Sequence, residues 1–272
     1  MSMSRDLVSS ANGSANSASA RQVPARQLTS QQLVQGLEPF FASPVPRWKR
    51  ALDIVGSGVM LIVFSPTFLL TAILIKVVSP GPIFFKQARV GHGGRVFFCW
   101  KFRTMKVDAD TSVHAQYVRA LIKKGANLLA EKPMIKLDSD DDSRIIRFGR
   151  ILRESGLDEL PQLINVLRGE MSLVGPRPCI AYEAQEYLPW HRQRFDAIPG
   201  LTGLWQVSGK NKTTFTEMMR LDIVYEKQKS FWLDVKLLLK TLPAILDQIK
   251  GGHSSLRTSE LTEHGNAEML DP

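Results

Sequence analysis

The sequence predicts an α+β chain that is mostly helical, and three observations carry the prediction. A long uncharged run with a Ser-Pro step near its midpoint reads as two apolar helical halves. A glycine-centred stretch between β-rich runs reads as a hairpin. Beyond residue 160, apolar residues recur at helical spacing almost to residue 250. The chain has 272 residues, 44% of them hydrophobic, enough for one medium domain with appendages.

The ends differ from the middle. Residues 1–30 hold eight serines and no apolar run, so no signal peptide is present there and a disordered tail is expected over 1–46. Within it, 31–46 has the makings of a short amphipathic piece closed by Pro44 and Pro46. From Gly251 to residue 272 the chain is again polar and loose. This leaves a membrane-type segment at 47–78 and a compact unit at 79–250. The formal charge of +9, from 35 Lys and Arg against 26 Asp and Glu, suits an anionic partner: nucleic acid, anionic lipid or a phosphorylated substrate. Cys99 and Cys179 are the two cysteines, and neither has a CxxC or His-rich neighbourhood. That excludes a disulfide framework and fits a reducing compartment.

Between Asp53 and Lys76 lie 22 uncharged residues, about 33 Å of helix and enough for a bilayer core. A single spanning helix is the ordinary reading. Ser65-Pro66 interrupts it, because proline removes a helical hydrogen bond and clashes with the preceding turn. The flanks are basic on both sides: Arg47, Lys49 and Arg50 before, Lys76, Lys86, Arg89 and Arg95 after. Positive charge marks the cytoplasmic face, and a spanning helix should carry it on one side. Residues and spacing leave spanning and re-entrant readings equally open.

Residues 82–105 predict two strands around a turn at Gly91–Gly94. Helices are expected at 112–132, with a solvated loop DSDDDSR at 138–144, then at 145–153, 160–168, 181–195, 214–229 and 231–250. Gly169 should end the 160–168 helix. The last segment contains Pro243, and its Trp232 and lysines suit a membrane interface as well as a core edge. His92, His114 and His191 are scattered and read as surface or turn residues. Trp205 reads as packing or as a contact near a ligand or membrane.

The stretch SGLDELPQL at 155–163 sets Asp158 beside Glu159. Pro161 belongs in a helix's first turn, and Leu160, Leu163, Ile164 and Leu167 form a stripe behind it. Routine capping accounts for both carboxylates at such a helix mouth. The same mouth also binds phosphates. Arg144, Arg147, Arg150 and Arg153 approach from one side, Lys101 and Arg103 end the hairpin, and GPRP follows at 175–178. Carboxylates among so many cations should stay ionised. Such a set suits a diphosphate and a divalent cation, since Mg²⁺ is typically held by one or two carboxylates plus phosphates.

In order, RWKRALD, SP, GPIFFKQARVG, KFRTM, LRESGLDELPQLINVLRGEMSLVGPRP and PGLTGLWQVSGK resemble the monotopic phosphoglycosyl transferases over about 47–250. The resemblance implies a re-entrant membrane helix-break-helix at Ser65 and Pro66. It also implies a compact cytoplasmic catalytic domain with a small β-hairpin and interfacial amphipathic helices. It further implies transfer of a sugar-1-phosphate from a UDP-sugar to polyprenyl (undecaprenyl) phosphate at the inner membrane of a bacterium, releasing UMP, as the first membrane step of exopolysaccharide or capsule synthesis. Galactose and glucose are the sugars that analogy favours. In this reading Asp158 is the nucleophile, and Glu159 with Asp158 beside it is the Mg²⁺ ligand set. Lys101, Arg103 and Arg153 hold phosphates, and Arg177 between Pro176 and Pro178 meets the nucleotide. The resemblance allows a homodimer. Many relatives carry spanning helices ahead of the catalytic part, and the expectation here is a minimal catalytic form. Two other readings compete. A membrane-anchored scaffold has no use for the paired carboxylates. A nucleic-acid binder lacks a binding motif, and its basic residues alternate with acidic ones.

Overall fold

A computed structural model describes residues 44–107, 109, 116, 119–120, 122, 142–209 and 213–247. Outside the described residues lie nearly all of the expected N-terminal tail, His114, most of the 112–132 helix, residues 138–141 and the 251–272 tail.

The apolar run folds as two helices, α1 (Arg47–Val63) and α2 (Ser65–Val78), bent by 61° at Phe64. The cause is local. Pro66 opens α2 and has no N–H for the Ile62 carbonyl one turn back. The Ser65 hydroxyl donates to that carbonyl instead, at 2.8 Å, so the break leaves no acceptor bare. Among the described residues no single helix is long and apolar enough to cross a membrane; the bent pair together meets that test by length and composition. Their outer faces are apolar: Val55, Ile62, Val63, Leu69, Leu70 and Val77 are all exposed.

The inner face of α1 is the reverse of a water-soluble helix. Lys49, Asp53 and Ser57, spaced four apart, are buried. Lys49 Nζ donates to the Val174 carbonyl at 2.8 Å, to the Tyr225 hydroxyl at 2.9 Å and to Asp234 Oδ2 at 2.6 Å. Asp53 Oδ1 accepts from Ser172 Oγ and the Leu173 N–H, both at 2.8 Å. Arg50 donates to the Val166 and Leu167 carbonyls. The helix is thus pinned to segments more than a hundred residues away.

Strands β1 (Phe84–Val90) and β2 (Val96–Phe102) form the expected antiparallel hairpin, in register from Phe84 opposite Phe102 to Val90 opposite Val96. The next helices are α3 (Gly149–Ser155) and α4 (Gln162–Arg168), followed by β3 (Ser172–Val174), β4 (Cys179–Ile180) and α5 (Ala181–Gln185). Then come β5 (Gly200–Thr202), α6 (Leu204–Val207), α7 (Phe215–Gln228) and α8, helical over 231–247. β4 adds to β1 to give the order β2-β1-β4, and β3 pairs with β5 in parallel. One core cluster joins Phe102 of β2, Leu163 and Val166 of α4, Val174 of β3, Ile75 of α2 and Leu237 of α8. The bent pair therefore shares its core with the rest of the chain. Full burial of a side chain such as Leu163 stabilises by about 1.5–3 kcal/mol.

Several local expectations are corrected. The 145–153 helix begins only at Gly149, because Ile145 is held in a bridge to Met105. The 181–195 helix stops at Gln185, ahead of Pro189, and 191–196 is a 3-10 turn. The α4 stripe is Leu160, Leu163 and Val166, and Leu167 is exposed. His191 opens a turn as expected, but it is buried and meets Tyr187, Trp190 and Phe215 edge-on, not at the surface. The packing reading of Trp205 holds: it is a core residue whose Nε1 donates to Thr213 Oγ1 at 2.6 Å. Other expectations hold. Gly169 ends α4 at φ 80°, and both cysteines are buried free thiols. A capping box of Thr214 and Glu217, which was not among the expectations, opens α7.

Candidate active site

The carboxylate pair does not cap a helix. Asp158 and Glu159 lie in a separate 3-10 turn, Leu157–Glu159, and the residue flanking α4 is Pro161. Gly156, in the left-handed region at φ 72°, ends α3 and turns the chain into that turn. The capping explanation of the pair therefore falls away, and its partners are cations.

Lys101, at the end of β2, reaches Glu159: Nζ to Oε1 is 2.6 Å. Arg177 of the GPRP loop approaches the same oxygen, with Nη1 at 3.6 Å. The loop is held close by backbone packing. A Cβ at Gly175 would lie 2.2 Å from the Ile198 carbonyl, so only glycine lets β3 pass there. The Pro176 carbonyl accepts from the Gly200 N–H at 2.8 Å, and the Pro178 carbonyl accepts from Arg89 Nη1 at 2.8 Å. Both prolines thus sit in a fastened loop, and Arg177 projects from it.

Asp158 is 8% exposed. Burial raises its carboxyl above the ordinary carboxylate range. Lys101 pulls it down, Glu159 pushes it up, and Arg153 and Arg177 pull down again, with the rise prevailing. For Asp158, desolvation thus outweighs the surrounding cations.

Of the expected cations, Lys101, Arg153 and Arg177 act on the pair. Arg103 does not reach it. Its guanidinium is buried under the end of α2, donating to the Ser79 carbonyl at 2.8 Å and the Pro80 carbonyl at 2.6 Å. Arg144 is gripped by Asp142, with Nε and Nη2 both at 2.8 Å from its carboxylate. Arg144 holds Asp142 down at about 2. Ser65 and Pro66 lie at the helix bend, away from the pair.

A small cavity opens beside Lys101, Glu159 and Arg177, and Arg89, Gln162 and Gln206 also line it. Arg89 stood out in the sequence only as a basic flank of the apolar run, and Gln162 and Gln206 did not stand out at all. Strand alternation offered a clue to this face, since Lys101 and Cys99 lie two apart on β2 and both line the cavity. Gln206 had no such signal.

Among the described residues no group of three or more His, Cys, Asp or Glu side chains could hold a metal alone. Two adjacent carboxylates do fit a Mg²⁺ shared with substrate phosphates. The whole is a pair of adjacent carboxylates beside the cations Lys101, Arg153 and Arg177, a composition suited to phosphoryl transfer.

That class finds its family in comparison with known proteins. The model of the bacterial sugar transferases matches residues 45–248. Three relatives are similar over most of this chain. A UDP-glucose:undecaprenyl-phosphate glucose-1-phosphate transferase of Caulobacter vibrioides is 41% identical over 216 residues, covering 75% of this chain and 73% of that one. The exopolysaccharide production protein ExoY of Rhizobium meliloti is 38% identical over 72% of this chain and 84% of its own length. The galactosyl transferase CpsE of Streptococcus agalactiae is 39% identical over 73% of this chain, but the match spans only 42% of that protein. The chain belongs to the bacterial sugar transferase family and is a transferase.

Proposed function

We propose that the chain transfers a hexose-1-phosphate, galactose or glucose, from a UDP-sugar to undecaprenyl phosphate and releases UMP. The observation that carries this is the buried Asp158 beside a Glu159 already clamped by Lys101 and Arg177. Asp158 attacks the sugar-bearing phosphorus through a carboxylate oxygen, and the bond from that phosphorus to the UMP oxygen breaks. A phosphate oxygen of the lipid then attacks the same phosphorus, and the bond to Asp158 breaks. One difficult displacement becomes two easier ones. A raised Asp158 makes a more basic, more nucleophilic carboxylate, provided that it is ionised when substrate sits over it. Lys101, Arg153 and Arg177 supply the positive field for that, and Arg177 is placed to hold the nucleotide phosphate. Glu159, with the diphosphate, would hold Mg²⁺, which when bound offsets charge on the phosphates.

The apolar outer faces of α1 and α2 support a seat for the bent pair in the cytoplasmic leaflet, as a re-entrant element. This keeps the site at the interface, where one substrate is soluble and the other a lipid. The test is UMP release by the full chain with polyprenyl phosphate, Mg²⁺ and a panel of UDP-sugars. Turnover is expected with at least one UDP-hexose, and Asp158→Asn should lower it by at least about a thousandfold. No lipid product from any UDP-sugar would overturn the reading, and full activity in Asp158→Asn would overturn the nucleophile.

A further inference from the structure

One wall of the cavity is not used by the transfer chemistry. Two buried polar atoms on it have no hydrogen-bond partner: Arg89 Nε and Gln206 Oε1. Both residues line the cavity that Lys101, Glu159 and Arg177 share. Arg89 is 8% exposed, and the rest of its guanidinium is committed. Nη1 donates to the Pro178 carbonyl at 2.8 Å and Nη2 to Gln87 Oε1 at 2.7 Å. That grip fixes the plane of the fork and leaves the Nε–H without a partner.

Gln206 lies on α6. Its amide nitrogen donates to the Leu201 carbonyl at 3.0 Å. This bond decides which end of the amide is oxygen, since a flip would set two carbonyl oxygens against each other. Gly203 leaves the oxygen its place: a Cβ there would lie 2.8 Å from Oε1. Buried polar groups are nearly always paired. A fixed donor and a fixed acceptor, both buried and unpaired on residues that line one cavity, thus point to a ligand group that carries both functions. A phosphate oxygen satisfies Arg89 but repels Gln206 Oε1. A hydroxyl, or the imide edge of a pyrimidine, satisfies both.

We propose that Arg89 and Gln206 are specificity residues that bind the UDP-sugar through a hydrogen-bonding group that both accepts and donates. The chemistry is that of a sugar hydroxyl or of the uracil imide. This rests on the UDP-sugar reading above. Arg89 Nε–H donates to the group and Gln206 Oε1 accepts from it, so a substrate lacking the group leaves two buried atoms unmet. Sites built this way discriminate far better than apolar ones.

The test uses the full chain with polyprenyl phosphate, and compares wild type with Gln206→Met, which keeps length and removes the acceptor. Probes are the UDP-hexose that wild type turns over, its single deoxy analogues on the hexose, and UMP as an inhibitor. Wild-type turnover of the hexose is the control, and its failure indicts the transferase reading instead of this one. Loss of one neutral hydrogen bond should lower kcat/KM for the parent by about tenfold. If the hexose is the ligand, one deoxy analogue shows almost no further loss in the variant, a non-additive cycle, and UMP inhibition is unchanged. If uracil is the ligand, UMP inhibition weakens by the same factor as every UDP-sugar. The proposal is overturned if parent and every analogue fall equally with UMP unaffected, the mark of a merely structural loss. It is equally overturned if an active wild type and Gln206→Met agree within twofold on all probes.

Discussion

Lys49 should be indispensable to the docking of the bent helix pair. It is 1% exposed, and its ammonium meets a carbonyl, a phenol and a carboxylate within 2.9 Å. Lys49→Met keeps the apolar stem and deletes the charge. Asp234, also 1% exposed, would be left with the Tyr225 hydroxyl at 2.7 Å as its polar partner in this network. Burial, and then Asp234 itself, hold that phenol far above its ordinary pKa, so it stays a donor and cannot share the charge. Breaking one side of a buried pair costs about 3–5 kcal/mol, a large part of the roughly 5–15 kcal/mol of a typical fold. In a chain of this length each 1 kcal/mol moves Tm by about 2–4 °C, so a fall on the order of 10 °C is expected. Thermal unfolding of the detergent-solubilised protein, followed by tryptophan fluorescence, reads it. Trp48 is well placed to report, since its ring meets Phe231 edge-on at 6.2 Å between centroids. Lys49→Met with Asp234→Leu should recover most of the loss, because an apolar pair replaces a buried ionic one at little cost. A single variant within about 1 kcal/mol of wild type, or a double variant no better than the single, would refute the reasoning.

Three further outcomes are expected. Lys101→Met removes the strongest cationic pull on Asp158, so the carboxyl rises further; the acid limb of the kcat/KM profile should move to higher pH, and a limb that stays or moves down contradicts the assignment. Chelation should abolish UMP release and added Mg²⁺ restore it, with Glu159→Gln raising the Mg²⁺ concentration for half-maximal rate; metal-independent turnover would contradict the role given to Glu159. Cysteines at Val45 and Pro82, with the buried Cys99 and Cys179 silent, should label from the same side of a vesicle, and labelling from opposite sides would exclude the re-entrant topology.

What could be read along the chain was local. The hairpin around Gly91–Gly94, the break at Ser65-Pro66 and the Gly169 stop each depend on residues within a turn or two. Their dihedral and hydrogen-bond preferences act without the rest of the fold. The adjacency of Asp158 and Glu159 was equally plain, as was the ring of cations as a composition. Roles inside that ring were not. Arg103 and Lys101 stand two residues apart with similar chemistry, yet one supports the end of α2 and the other clamps Glu159. Only the path of α2 back over the hairpin separates them.

The sequence by itself therefore determined the helix-break-helix, the hairpin and the neighbouring carboxylates, because each is encoded in a short window by proline, glycine and period. Tertiary structure alone decided that Lys49 and Asp53 turn inward from an apolar helix, that Asp158 is buried enough to rise in pKa, and that Arg89 and Gln206 share a wall. Those outcomes join residues up to 185 positions apart. No local propensity specifies such a pairing; it forms only when packing brings the partners together and excludes the water that would otherwise satisfy them.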